Sequence, residues 1–150
     1  MRKENRLKKR WYKFLIYFAL WAIAFIYFVI GLMLIYGTHY KLIGLSTDKV
    51  YDYYSDLKQL DTFFGLLNIL ISVYIIVVRY FLFNLKFVAP QMLLTMHVVI
   101  VFFNLLYIIV FPTKLNHISN LYNILWLIIN VSVMIFNYVY FEKCKFAFIN

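Results

Sequence analysis

Long stretches without a charged side chain dominate the hydrophobic pattern of this chain. Four of them occur, at 14–40, 62–78, 87–113 and 115–141. About 20 consecutive, mainly apolar residues let a helix cross the hydrocarbon core of a bilayer. Transmembrane strands instead alternate over about 10 residues and must close into a barrel. The pattern therefore predicts four transmembrane helices, at approximately 12–36, 61–83, 88–111 and 119–141.

Composition agrees with a lipid-embedded protein. With 65% hydrophobic and 14% charged residues, the 150-residue chain has more apolar surface than a soluble globule of this size can hide. We expect an all-α fold, in which residues 1–150 form one polytopic membrane domain, a four-transmembrane-helix bundle. The leading MRKENRLKKR resembles the basic start of a signal peptide. The apolar run behind it is too long and too bulky for one, so we expect the first span to be retained.

The connection between the first two spans, approximately 38–60, is the one sizeable polar segment. STDKVYDYYSDLKQLD, residues 46–61, contains four of the six acidic residues of the chain. A helix beginning near Lys49, capped by one of residues 46–48, would be amphipathic and could lie on the membrane surface. Its polar side would carry an external acidic ridge of aspartates spaced four apart: Asp48, Asp52 and Asp56.

Three interpretations of the acidic ridge are open: a solvated face, a weak contact for a cation or a partner, and a specific metal site. Calcium sites gather six or more oxygens around a curved loop that contains glycine. Residues 46–61 contain no glycine. The favoured interpretation is a solvated face without a metal, and Asp61 at the end of the stretch is expected to mark the external side as well.

Basic residues predict the orientation. Eleven of the 15 lie before the first span, between the second and third, or after the fourth: Arg2, Lys3, Arg6, Lys8, Lys9, Arg10, Lys13, Arg79, Lys86, Lys143 and Lys145. The positive-inside rule then places both termini in the cytoplasm. We interpret the basic N-terminus as a topology signal that contacts anionic lipid headgroups. Nucleic acid is not an expected partner, since this short run has no folded module to position it.

Polar side chains recur at helical spacing inside the spans. On the fourth span asparagine occupies every seventh position from Asn116 to Asn137, and two helical turns bring each nearly over the last. The second span carries a stripe of its own, and the third has two polar residues seven apart. Amides are costly in hydrocarbon, so the stripes should face one another inside the bundle. This intramembrane polar seam comprises Asn68, Ser72, His97, Asn104, Asn123, Asn130 and Asn137.

The polar seam has two interpretations. In the first it holds helices together by interhelical hydrogen bonds, each contributing about 0.6 kcal/mol, with Gly65 and Ser72 allowing close approach. In the second it lines a cleft or narrow conduit near the midplane, formed by Asn68, His97, Asn104 and Asn130. Packing is favoured, with His97 as a packing residue rather than a proton relay. No Asp or Glu lies between the ends of the four apolar stretches, as proton-coupled carriers commonly require.

Motifs for catalysis are absent from the sequence. It contains no phosphate-binding glycine loop, no GxSxG, no HExxH and no pair of intramembrane aspartates. The lone Cys144 excludes an internal disulfide and leaves acylation as a minor alternative. His39 and His117, isolated from other ligands, do not make a zinc site. We therefore predict no enzyme activity, no catalytic or cofactor-binding residues, no cofactor and no metal.

Four segments give the chain a resemblance to a known group of proteins: RWYKFLIYFALWA, GLMLIYGTHY, VYDYYSDLKQLDTFFGLL and NYVYFEKCKFAFIN. They look like an uncharacterised family of small four-span bacterial integral membrane proteins. The resemblance implies a bacterial plasma (inner) membrane and carries over no site residues. We expect a non-enzymatic protein that packs with itself or with a larger membrane partner, as an accessory or immunity factor. The alternative is a small oligomeric channel or transporter that uses the polar seam.

Overall fold

The apolar stretches form four long helices in the computed structural model, which describes residues 10–42, 44–110 and 117–143. The side chains of 110 and 117–123 lie outside this description. In chain order the helices are α1 (Arg10–Ile35), α2 (His39–Leu42), α3 (Thr47–Tyr53), α4 (Ser55–Phe83), α5 (Ala89–Val110) and α6 (His117–Glu142). A π-helical turn, Leu15–Ala19, interrupts α1.

The prediction of an all-α fold is confirmed for the described residues, which contain no strand. Four helices are long and apolar enough to cross a membrane: Arg10–Ile35, Ser55–Phe83, Ala89–Ile109 and Ile124–Glu142. Several predicted features lie outside the described residues. They are the basic residues 2–9, the turn residues 111–116 with Asn116, and Cys144 and Lys145.

The short helix predicted between the first two spans is α3, which ends earlier than the apolar pattern of residues 50–60 suggested. The structure has two helices where one was expected, because the short α3 ends at Tyr53 and α4 begins at Ser55. The second membrane-length helix therefore begins six residues before the predicted start at 61. Residues 55–61 are partly charged, but they contain neither glycine nor proline to interrupt a helix.

The chain divides into two compact units, which are described separately. Unit 2 comprises Tyr17–Ile76. Its core is built on helical spacing along α1 and α4, so that each helix presents one buried stripe. The buried residues of the unit are Leu20, Ala24, Tyr27, Gly31, Leu34, Tyr40, Val50, Asp61, Phe64, Gly65, Ile71, Ser72 and Ile75, with Gly37 buried at the end of α1.

Glycine brings α1 and α4 into close approach within unit 2. A Cβ added at Gly31 would lie 2.8 Å from the carbonyl oxygen of Gly65, and one added at Gly65 would lie 2.8 Å from that of Gly31. The same Cβ at Gly65 would lie 2.6 Å from Cγ1 of Ile35. Small residues that let backbones touch are a common basis of helix packing in membranes.

Unit 1 comprises Met1–Ile16 and Val77–Asn150. Within it α5 packs against α6. The start of α1 joins this unit through the Trp11 ring, whose centroid lies 4.7 Å from that of Phe136 in an edge-on arrangement. The hydroxyl of Tyr12 donates a hydrogen bond to the carbonyl of Leu82. Both contacts lie near the end of α1 that the basic residues flank in sequence.

Candidate functional site

The acidic ridge lies on two helices. Asp48 and Asp52 are exposed on α3, and Asp56 is exposed on the first turn of α4, beyond the break at Tyr54. Ser46 occupies the backbone N-cap position of α3 but makes no capping hydrogen bond through its side chain. None of the described residues forms a group of three metal-ligating side chains. The ridge thus presents carboxylates to the surroundings without gathering them around one point.

Asp61 differs from the other three aspartates of residues 46–61, which are exposed. It lies inside α4, and its side chain is completely buried, with 0% exposure. Asp61 immediately precedes the uncharged stretch 62–78, so a carboxylate lies within a membrane-length helix although none lies inside the stretch itself. Removing a carboxylate from water costs several kcal/mol unless partners compensate it.

Three side chains surround this carboxylate and form with it the aspartate cluster: Asp61, His39, Tyr40 and Tyr51. Tyr40 donates its hydroxyl to Oδ2 at 2.8 Å, and Tyr51 donates to the same oxygen at 3.0 Å. Nε2 of His39 lies 3.7 Å from Oδ2. Oδ1 is buried and has no hydrogen-bond partner among the described residues. One carboxylate oxygen is thus well satisfied and the other is not.

The end of α1 positions the aspartate cluster. Gly37 adopts a left-handed conformation, with φ of 65°, which an L side chain rarely tolerates. Its N–H bonds the carbonyl of Leu34 at 3.1 Å, and the N–H of Thr38 bonds that of Met33 at 3.0 Å. These two bonds define a Schellman motif, which ends the helix and reverses the chain. The reversal places α2, with His39 and Tyr40, directly after the turn.

A second contact ties α3 to the same turn. The Thr47 hydroxyl donates to the carbonyl of Gly37 at 2.8 Å. This contact leaves α3 placed so that Tyr51 reaches Asp61. Burial, the hydrogen bond to Asp61 and the negative charge of that carboxylate raise the pKa of the Tyr51 phenol above its ordinary value. The hydroxyl therefore remains a donor at neutral pH.

Unit 1 contains a second polar constellation, the indole–amide–imidazole chain of Trp11, Asn137 and His97. Trp11 Nε1 donates to Asn137 Oδ1 at 3.3 Å, and Asn137 Nδ2 lies 3.1 Å from His97 Nε2. An indole can only donate, which fixes the amide oxygen toward Trp11 and the amide N–H toward His97. Nε2 of His97 must then accept, so the imidazole is neutral and carries its proton on Nδ1. That Nδ1 is buried and has no partner among the described residues.

The structure brings two members of the predicted polar seam, His97 and Asn137, into direct contact. Asn68 and Asn130 instead donate to carbonyls one turn earlier in their own helices, those of Phe64 at 2.7 Å and Trp126 at 2.9 Å. Ser72 is buried, and Asn104 has a buried Nδ2 without a partner among the described residues. The side chain of Asn123 lies outside the described residues.

Arg79 has a role that the sequence interpretation did not identify. Its Nε donates at 2.9 Å to the carbonyl of Ile16, within the π-helical turn of α1. A π-helical turn departs from the regular i to i−4 hydrogen-bond pattern, so side chains can supply bonds to its carbonyls. Its guanidinium also lies 5.9 Å from the centroid of the Phe83 ring. Arg79 thus combines a backbone contact with an aromatic contact in unit 1.

Chemically, the two constellations differ in the charge they contain. The aspartate cluster offers an acid beside an imidazole, whereas the indole–amide–imidazole chain is neutral throughout. No family model matches the chain, and no curated protein or solved structure shows significant similarity to it.

Proposed function

We propose that this chain is a non-enzymatic integral membrane protein that acts by helix packing, with a second copy or with a larger membrane protein as partner. An accessory subunit and an immunity factor are both roles of this kind. The observation that carries the proposal is that most polar side chains of the spans bond their own chain. Trp11, Asn137 and His97 bond one another, and Asn68 and Asn130 bond their own helices.

The uncovered surface of α6 supports a packing partner. Only 17% of the apolar stretch within Ile124–Glu142 is buried, a smaller share than in the other three membrane-length helices. Ile128 is 56% exposed there. Ser132 is exposed as well, and its hydroxyl donates to the carbonyl of Ile128 at 2.8 Å. Because the Ser132 hydroxyl bonds its own helix, this aliphatic face can pack against another helix without leaving a hydrogen-bond donor unpaired.

The test is purification of the protein from its native membrane in mild detergent, with mass determination of the intact complex. We expect either a homo-oligomer or a stoichiometric complex with a larger membrane protein. Ile128→Trp should weaken that assembly, because it enlarges a side chain on the α6 face. Val98→Trp on α5 is the matched control, since Val98 is also 56% exposed. A monomer without partners, or equal effects of both variants, would refute the proposal.

A channel or transporter is the second candidate function, and the buried Asp61 favours it. Carboxylates inside membrane helices commonly belong to ion or proton pathways. The partnerless donors on His97 and Asn104 would then face a solute. Flux into liposomes that contain the purified protein tests this candidate. Flux that is lost in Asp61→Asn would support transport over packing.

The proposed location is a bacterial plasma membrane with both termini in the cytoplasm. The distribution of basic residues supports this orientation. A thiol reagent that cannot cross the membrane should label Asp52→Cys in intact cells, since Asp52 is exposed on α3. Native Cys144 should react only after permeabilisation. The reverse pattern of labelling would contradict the orientation.

A further inference from the structure

The buried carboxylate of Asp61 has less compensation than a buried charge needs. Its Oδ2 accepts two tyrosine hydroxyls, but its Oδ1 has no partner among the described residues. No Lys or Arg of the described residues forms an ion pair with it. Hydroxyl donors weaken the penalty of burial, yet an unpaired carboxylate in low dielectric still favours taking up a proton or a cationic partner.

The imidazole of His39 is oriented so that a proton bound at its Nε2 would face this carboxylate. Its Nδ1 lies 3.2 Å from the carbonyl oxygen of Met33. A carbonyl can only accept, so Nδ1 carries a hydrogen and Nε2 is the nitrogen that faces Asp61. In a neutral imidazole of this tautomer, Nε2 presents a lone pair to the lone pairs of Oδ2, 3.7 Å away. One added proton, on Nε2 or on the carboxylate, removes this repulsion.

We propose that His39 and Asp61 form a proton-binding site that holds one proton in the folded protein. The site joins α2 to α4, and the Tyr51 bond extends it to α3. This inference does not rest on the proposed helix-packing function and would stand if that proposal failed.

A proton fits this site better than a metal ion. The site has one carboxylate, and no described group of three His, Cys, Asp or Glu surrounds it. Calcium takes six to eight oxygen ligands, more than one carboxylate and two phenols provide. The other groups that face the carboxylate are Tyr40 from α2 and Tyr51 from α3, both hydroxyl donors, and the backbone carbonyl of Met33 in α1 accepts from His39.

The direction of the pH effect follows from linkage. If the folded state binds a proton that the unfolded chain releases, stability is present at low pH and is lost as pH rises through the titration of the site. For one proton, the equilibrium constant for folding should fall by up to about tenfold for each pH unit.

The experiment is reversible unfolding of the full-length protein in detergent, from about pH 5 to about pH 9. The wild type should lose stability as pH rises. Asp61→Asn should abolish that slope, because the amide oxygen still accepts the tyrosine hydroxyls but carries no charge. Asp48→Asn is the matched control: it removes an exposed carboxylate from α3 and should keep the slope. A flat wild-type profile, or a slope retained in Asp61→Asn, overturns the proposal.

A second variant covers the case in which Asp61→Asn does not fold. His39→Gln keeps a polar side chain but leaves only the carboxyl to bind a proton, so the loss of stability should begin at lower pH than in the wild type. Wild-type hydrogen exchange gives an independent readout. After correction for intrinsic rates, residues 37–53 should exchange faster at high pH than α5 does. An unchanged profile in His39→Gln, or equal changes in the two regions, would contradict the site.

Discussion

Gly65→Ala tests the close approach of α1 and α4, because helix propensity and helix packing predict opposite effects on stability. Alanine is a better helix former than glycine by about 0.8–1.0 kcal/mol, so propensity alone predicts a more stable protein. The structure predicts the opposite. The added methyl would lie 2.8 Å from the carbonyl oxygen of Gly31, whereas ordinary contact begins near 3.4 Å. The helices must therefore separate by about 0.6 Å, a gap at which packed atoms lose a quarter to a half of their attraction.

The magnitude follows from these two opposing terms. Overpacking a close contact costs about 1–3 kcal/mol, and the gain in helix propensity offsets up to about 1 kcal/mol of it. We expect Gly65→Ala to lower the free energy of unfolding by about 0.5–2 kcal/mol. Gly31→Ala should behave similarly, and the double variant should cost less than the sum, since one separation of the helices relieves both clashes.

The assay is reversible unfolding in mixed detergent micelles, followed by circular dichroism at several denaturing detergent fractions. Leu66→Ala is the control, because Leu66 adjoins Gly65 in α4 but is 53% exposed. Its unfolding midpoint should stay near that of the wild type. A Gly65→Ala protein as stable as the wild type, or more stable, would refute the close approach of the two helices.

Three further substitutions have expected outcomes in the same assay. Asn137→Leu should lower the free energy of unfolding by about 1–3 kcal/mol, because it leaves His97 and the Trp11 indole without these partners. Its control is Ser132→Ala, which removes only an exposed intrahelical bond and should lower the free energy of unfolding by less than about 0.5 kcal/mol. Arg79→Met should cost about 1.5–3 kcal/mol, since it removes a charged donor from a carbonyl in the π-helical turn; no loss would show that the bond contributes nothing. Leu85→Gly should raise the free energy of unfolding by roughly 0.5–1 kcal/mol, because Leu85 has a φ of 51°, in the left-handed region that glycine adopts without strain. A less stable variant would show that Leu85 is not strained.

Hydrophobic runs identify membrane-length helices reliably because lipid solvates no free backbone group. They do not identify where a helix begins. The charged segment DLKQLD, 56–61, precedes the apolar stretch 62–78, yet α4 runs through both without a break. A charged side chain raises the free energy of placing its residue in lipid. Whether the helix continues through that residue depends on the backbone hydrogen bonds.

The hydrogen bonds of the aspartate cluster join residues that are far apart in sequence, so the sequence pattern did not predict them. Helical spacing correctly put Asp61 on the same stripe as Gly65 and Ser72, all of which are buried. Its burial depends on Tyr40, 21 positions earlier, and on Tyr51, 10 positions earlier. No periodicity within one helix contains that information. One local feature did indicate the turn before His39: a glycine directly after an apolar run, as in YGTHY, is typical of a helix that ends and turns back.

The group that faces Nε2 of each imidazole decides how its contact responds to an added proton. His39 gives its Nδ1 hydrogen to a carbonyl and turns Nε2 toward the carboxylate of Asp61, so an added proton creates attraction. His97 turns Nε2 toward the amide N–H of Asn137, so an added proton there would set donor against donor. Acidification should therefore strengthen the aspartate cluster and weaken the indole–amide–imidazole chain. Because the two responses oppose each other, Asp61→Asn should change the slope of stability against pH. That slope should be flat or should reverse sign at low pH, where the wild type is most stable.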